Sequence, residues 1–357
     1  MYSIESGGKI LSSPLLIEEG YIVSSPIITE ELNKASTMQF TIPPTNPEHD
    51  SIQKMKSIVG VYKDGKELFR GRMLDYENDF YNRKAVYCEG ELSFLLDSVM
   101  RPFSYSGGLS GLFEQIISNH NSQVENEKKF VVGEVTVTGA SENIVCSSED
   151  FINTWECIER KLISSLGGFI RTRVSESIRY IDYIADYNSV NSQVIEFGEN
   201  LLDITQYINS EDVFTALIPT GADGLDIKSV NNNLDYIFNE AGIELYGWVW
   251  KQKTFENVTV AADLLTKAQQ HLASGTGTSS TITIKAVDLS LIDVDVEMIK
   301  LGDMVRVLSL PHNIDKYMMV SKIVRNLENP SKSEITLGTI FQTSTDIMLK
   351  QNAVITK

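Results

Sequence analysis

Histidine, cysteine and tryptophan are scarce: four, three and three in 357 residues. The cysteines, Cys88, Cys146 and Cys157, are scattered and form no CxxC pair, which excludes a disulfide framework. They read as small buried residues of a chain folded in a reducing compartment. No HExxH or HxH pair joins His49, His120, His271 and His312, so a zinc hydrolase of the usual kind has no ligand set. GxSxG, GxxxxGK[ST] and GxGxxG are all missing. No run of about 18 apolar residues occurs, so no helical membrane span is expected. The first twenty residues lack a basic segment and a long apolar core, which predicts no signal peptide. Positive charge is also short: 31 Lys and Arg face 48 Asp and Glu, a net charge of −17. That argues against duplex binding through phosphate neutralisation and fits an acidic pore or a basic partner.

The chain instead carries ordinary globular composition, enough for two to four domains at roughly 100–200 residues each. The first hundred residues read as β. Residues 38–42 (MQFTI) alternate and stop at Pro43-Pro44. Residues 57–62 and 68–74 flank Lys63-Asp64-Gly65-Lys66, a hairpin signal. Residues 85–90 add a strand, and 91–97 are ambiguous between helix and strand. Residues 101–199 read as an α+β module. Its parts are helices over 109–120 and 151–166, a strand over 130–138, and a hairpin over 168–184. From residue 200 the pattern returns to β, with strands near 212–220, 243–250, 281–289, 304–308, 317–325 and 333–337, and a helix over 258–272. The Gly- and Ser-rich stretches 104–111 and 274–280 are expected to behave as flexible linkers. Residues 58–90 and 301–338 echo each other as strand, turn, strand, turn, strand, which suggests two related small barrels flanking the module.

Candidate chemistry is thin. His120 at a helix end and His312 in a turn could serve as bases but suit polar termini better. Cys157 is mid-helix and Cys88 mid-strand, poor places for a nucleophile. Asp293 and Asp295 at i, i+2 could hold a hard cation, as could Glu77 with Asp79, or Glu240 with Glu244; a solvated acidic face is the simpler reading. Tyr246, Trp248 and Trp250 could line a sugar groove, or form a barrel face or subunit interface. No catalytic, cofactor or metal residues are therefore assigned.

Local phrases in a fixed order carry a resemblance. They are Arg101-Pro102, His120-Asn121, Lys129-Phe130 with GEVTV at 133–137, Thr154-Trp155-Glu156, and Leu166-Gly167-Gly168. IEFGENLL at 195–202, TALIPTG at 215–221, AVDLS at 286–290, LGDMV at 301–305, NLENP at 326–330 and TLG at 336–338 follow. Over about residues 1–345 the chain resembles the tail-tip or baseplate hub proteins of tailed phages of Gram-positive bacteria, the prophage tail-endopeptidase family. The resemblance implies a mainly β, α+β hub with two barrels. These would occupy 1–100 and 200–345, the second with a helix-containing insertion near 230–280, around the 101–199 module and before a tail at 346–357. It implies a homotrimeric ring at the virion tail tip, six similar barrels meeting a six-fold tail. Its partners would be the distal tail or tube protein, the tape-measure protein and a tail fibre or receptor-binding protein. DNA would be only passing cargo, with no membrane insertion and no cofactor. Long members carry a C-terminal cell-wall hydrolase; residues 339–357 are too short for one, so a non-enzymatic hub is expected here, with a peptidoglycan-cleaving enzyme or a carbohydrate-binding module as alternatives.

Overall fold

The computed structural model describes residues 2–138, 144–209, 213–255, 258, 260–274, 279–286 and 297–338. Asp293, Asp295, the middle of the 274–280 stretch and the 346–357 tail lie outside them. The fold is mainly β with few helices.

The N-terminal strands are β1 (Tyr2–Ser6), β2 (Lys9–Ser12), β3 (Ser24–Glu31), β4 (Thr37–Ile42), β5 (Ile58–Lys63), β6 (Lys66–Asn78) and β7 (Lys84–Gly90). Asp64 and Gly65 turn β5 into β6 with φ of 50° and 79°, the two-residue geometry that Asp-Gly favours. Alternation sets the inward face: Met38, Phe40 and Ile42 are buried while Gln39 is exposed. They share a core with Ile4, Leu11, Ile28, Val59, Val61 and Met73. Glu91–Asp97 is a 3-10 helix.

The middle region holds β8 (Val99–Met100), β9 (Phe103–Gly107), α1 (Leu109–Asn121), β10 (Val131–Val135), β11 (Ile144–Ser148), β12 (Ile152–Asn153), α2 (Thr154–Ile158), a π-turn over Glu159–Ile163, α3 (Ser164–Leu166), β13 (Phe169–Ser175) and β14 (Ile178–Ile184). Leu109, Leu112, Phe113, Ile116, Ile117 and His120 line one side of α1 at helical spacing and are buried. Each large apolar side chain among them contributes roughly 1.5–3 kcal/mol. The second helix starts at Thr154 rather than 151 because Asn153 caps it, accepting from the Glu156 amide at 2.8 Å. The expected linker at 104–111 is instead ordered. β9 pairs with β11 from Phe103 to Gly107, and α1 begins at Leu109. Its glycines serve packing: a Cβ at Gly107 or Gly111 would run into the Tyr105 ring, whose hydroxyl donates to Gly108 O at 2.8 Å.

The C-terminal region contains β15 (Val190–Glu196), β16 (Leu201–Asn209), β17 (Ala216–Thr220), β18 (Ile237–Phe238), α4 (Glu240–Tyr246), β19 (Trp250–Thr254), α5 (Ala261–Ser274), β20 (Ser279–Ala286), β21 (Met304–Ser309), β22 (Ile314–Asn326) and β23 (Glu334–Gly338). The stretch 243–250 is not one strand. Asn239 accepts from the Gly242 amide and starts α4, and Gly247 at φ 75° ends it. β17, β18 and β19 form a small sheet whose core is Phe214, Leu217, Ile227, Leu264, Ala268 and Leu272.

Two strand sets share one plan. In the first, order across the sheet is β3-β4-β7-β6-β5-β1; in the second it is β16-β20-β23-β22-β21-β15. Numbered by chain order within each set, both read 2-3-6-5-4-1. The long fifth strands, β6 and β22, have 13 residues each. Each shifts register against its sixth strand at the same place, after Met73 and after Val320. The sets differ at this edge in two ways: β1 runs antiparallel to β5 whereas β15 runs parallel to β21, and β2 adds outside β1 with no counterpart beside β15 among the described residues. No closed barrel forms among the described residues. β3 pairs with β22 instead, Ile27 to Glu31 against Asn326 to Lys322, and fuses both sets into one 13-stranded sheet.

Candidate interaction surface

Most of the residues with nucleophilic or basic chemistry are enclosed. His120 is fully buried; its Nδ1 lies 2.7 Å from Ser98 Oγ and its Nε2 3.0 Å from Lys128 O. The carbonyl can only accept, so Nε2–H donates to it and Nδ1 accepts from the Ser98 hydroxyl. Ser98 in turn lies 2.7 Å from Thr154 Oγ1, and both are buried. Burial lowers the His120 pKa and keeps the ring neutral. This pair resembles a serine–base arrangement chemically, but it ties β8, α1 and α2 together out of reach of any substrate. His312 is the exception: it is exposed in its turn, with Nδ1 2.6 Å from the Oγ of buried Ser309. His49 is buried between Asp50 and Asn82 O, and His271 packs on Phe214 and Phe255. Burial pushes the thiols of Cys88 and Cys146 up, and that of Cys157 up to about 12, so all three are protonated and inert. The Asp79 carboxylate is taken up by the amides of Tyr81 and Arg83 and the Arg83 guanidinium at the β6–β7 tip. Glu240 and Glu244 are exposed along α4. Among the described residues no group of three His, Cys, Asp or Glu could hold a metal ion.

Charge is concentrated in a cleft of about 470 Å³ where the N-terminal, middle and C-terminal regions meet. Arg70 donates to Glu91 at 2.5 Å, and Arg179 makes a bidentate pair with Glu67, 2.7 Å on one arm. Burial raises the Glu91 pKa, and Arg179 and Arg70 only partly oppose it. Arg171 and Arg173 both donate to fully buried Asp182 at 2.8 Å. Burial alone would raise that carboxyl; Arg173, the Glu134 amide and Arg171 outweigh it and hold it below the usual range. Arg325 donates to Glu30 at 2.8 Å and to Ile299 O at 2.6 Å. These cations already hold carboxylates, so the cleft joins the three regions rather than presenting an anion receptor. Sequence reading missed it, because Glu67 with Arg179 and Glu30 with Arg325 lie 112 and 295 residues apart, and no motif marks the closer Arg171, Arg173 and Asp182 as partners.

Among the described residues two exposed surfaces bear on interaction. Trp248 and Trp250 stack at 5.3 Å and 13°, each about half exposed. Tyr236 and Phe238 join them edge to face or tilted, at 5.1 and 5.5 Å. Tyr246, expected in this stripe, sits at the end of α4 instead. The second surface is the edge of β6 from Asp75 to Asn78, which is exposed throughout.

The family model for "Prophage endopeptidase tail" matches residues 189–348. No curated protein matches the chain significantly. Three solved tail proteins share the fold over nearly the full length. One is the 43 kDa tail protein of prophage MuSo2 from Shewanella oneidensis, at TM-score 0.63 and 13% identity over 97% of both chains. Another is the tail protein from Neisseria meningitidis MC58, at 0.64 and 14% over 98% of both. The third is prophage tail protein gp18 from Listeria monocytogenes EGD-e, at 0.56 and 15% over 93% of both. The doubled strand set runs into the stretch that the family model matches, so residues 189–348 are similar to the prophage endopeptidase tail family and the chain shares the fold of these solved tail proteins.

Proposed function

We propose that the chain is a structural hub at the distal end of a phage or phage-like tail, working as a homotrimeric ring. The observation that carries this reading is the repeated 2-3-6-5-4-1 strand set. Three chains with two similar sets each offer six similar units to a six-fold tail while remaining three-fold below. The two expected barrels would correspond to these sets, opened where β3 crosses to β22. The four separate apolar cores support three regions near 1–100, 101–199 and 200–345, the last with its insertion, with Leu92, Phe94 and Leu95 packing into the middle core and Ile195 into the C-terminal one. Distal tail or tube protein, tape-measure protein and a fibre or receptor-binding protein are the partners. An acidic wall would let DNA pass without adhering.

The hub works without catalysis in this reading, supported by the protonated thiols and the enclosed Ser98–His120 pair. The stacked Trp248 and Trp250 favour a second reading, a carbohydrate-binding surface, since exposed aromatic faces suit sugar rings. The native mass of the purified chain, measured across salt and protein concentration and with its tail partner, tests the ring. A trimer that strengthens with salt is expected, because like charges are screened. A chain that stays monomeric in high salt and with the partner overturns it. Cell-wall zymography and glycan binding test the other readings.

A further inference from the structure

We propose that main-chain pairing closes the seam between copies: β16 of one chain adds antiparallel to the free edge of β6 in a second chain, with Tyr207 opposite Glu77. The inference rests on the ring reading and specifies its interface.

Within one chain the two strand sets already show how such a joint is made. β22 uses one side for β21 along residues 314–319 and then for β3 along 322–326; its other side carries β23. β6 is the counterpart of β22. It carries β5 along 66–72 and β7 along 71–78. Its β5 side from Asp75 to Asn78 has no strand among the described residues. β16 is the counterpart of β3, and among the described residues the only strand it pairs with is β20, apart from a single bridge between Leu201 at its start and Phe197. One donor strand is thus docked, and one donor and one acceptor of the same kind are unfilled. They cannot meet within a chain readily: six strands separate β16 from β6, about 34 Å at ordinary strand spacing. A second copy supplies each what the first chain lacks.

The equivalence fixes the register. Thr29 faces Thr37, which faces Glu89; Tyr207 faces Thr281, which faces Gly338. Thr29 and Tyr207 therefore correspond. Met73 and Val320 correspond at the shared register shift, so Glu77 corresponds to Val324. Thr29 pairs with Val324, hence Tyr207 with Glu77. Leu32 donates to Ser321 O and Leu327 to Pro26 O, so 29/324 is a non-hydrogen-bonded pair. Its equivalent would bring Cα atoms to about 4.5 Å. The free edge is guarded in the isolated chain. The Tyr76 amide donates to the Asp75 carboxylate at 2.9 Å, and Lys54 holds that carboxylate at 3.1 Å. Charge and self-capping of this kind are how sheet edges avoid indiscriminate pairing.

The test uses the full chain carrying both Glu77→Cys and Tyr207→Cys, oxidised under assembling conditions; the three native thiols are buried. Interchain disulfides that link the oligomer are expected, since the predicted spacing fits a disulfide. The slipped pair Glu77→Cys with Asp203→Cys should link several-fold less. Tyr76→Pro, which removes a donor used by no strand in the chain, should weaken assembly about tenfold while circular dichroism stays unchanged. A trimer that forms without the 77–207 link, or links equally well at 77–203, overturns the seam and leaves the ring reading standing. An unweakened trimer from folded Tyr76→Pro does the same. Absence of any oligomer overturns both.

Discussion

Arg325 Nε donates to Glu30 Oε2 at 2.8 Å, joining residues 295 positions apart at the strand crossing that fuses the two sets. Both side chains are mostly buried, at 13% and 24% exposure. Each therefore needs the other, and Arg325 also satisfies Ile299 O.

Arg325→Ala should cost about 2–3 kcal/mol, less than a fully buried pair because water still reaches both groups. Arg325→Lys should recover part of the loss. Urea unfolding of both variants checks this, and Glu30→Gln beside Arg325→Ala gives the coupling.

Gly302 stands at φ 85°, and a Cβ there would enter the Tyr187 ring. Tyr187 is buried enough that its hydroxyl is pushed up to about 12, and it packs on Phe169 at 5.5 Å. Gly302→Ala should destabilise by about 2–4 kcal/mol, from backbone strain plus overpacking. Adding Tyr187→Ala should cost less than the sum of the single changes, because it removes the clash. Thermal melts of the four chains decide it.

Acid should weaken the chain in two windows. The folded His120 pKa lies below its ordinary 6.5, so the unfolded chain binds that proton first and stability falls as pH drops below 6.5. The folded Asp182 pKa lies below 3.8, so its contribution is present above 3.8 and is lost as pH falls through the folded value. Glu91 acts oppositely: its raised pKa removes stability as pH rises from 4.5 through the folded value. Denaturant midpoints from pH 2 to 8 test this (about 0.5-unit steps suffice to separate shifts of this kind). Asp182→Asn should shrink the lower window, where Asp97 held by Arg72 and Lys128 also acts, and leave the upper one unchanged.

The native thiols should resist Ellman's reagent at pH 8, and all three should react in denaturant. Rapid labelling of Cys157 in the folded chain would contradict its burial, which pushes the thiol up to about 12.

Much of this architecture was legible locally. Asp64-Gly65 announced its hairpin, the i, i+3, i+4 spacing of Leu112, Phe113 and Ile116 announced α1, and the 58–90 and 301–338 echo announced the repeated meander. Three features were not legible, each for a physical reason. The Gly-rich 104–111 stretch looked mobile because sequence shows absent side chains and not the Tyr105 ring that needs their space. Residues 243–250 looked like a strand because aromatic content outweighed two weak stop signals, Asn239 and Gly247. The β3–β22 crossing depends on partners nearly 300 residues apart, and nothing in the local pattern of Glu30 or Arg325 names the other. The Glu67–Arg179 pair is hidden in the same way, whereas Tyr236 and Phe238 meet Trp248 and Trp250 at short range through the β17–β18–β19 sheet, which no motif announces.

The two strand sets treat one connection differently. In the first set β3 reaches β4 through a short turn, where the Asn33 side chain grips Gly168 O and the Ile170 amide at 3.0 and 2.9 Å. In the second set the matching connection, from β16 to β20, opens into the segment with α4, α5 and the four aromatic rings. That segment has its own core and leaves the six-strand order intact. The connection is thus a socket: a change in the size or chemistry of its contents leaves the surrounding lattice of ladders in place. The segment could be replaced as one cassette with no compensating change elsewhere in the sheet.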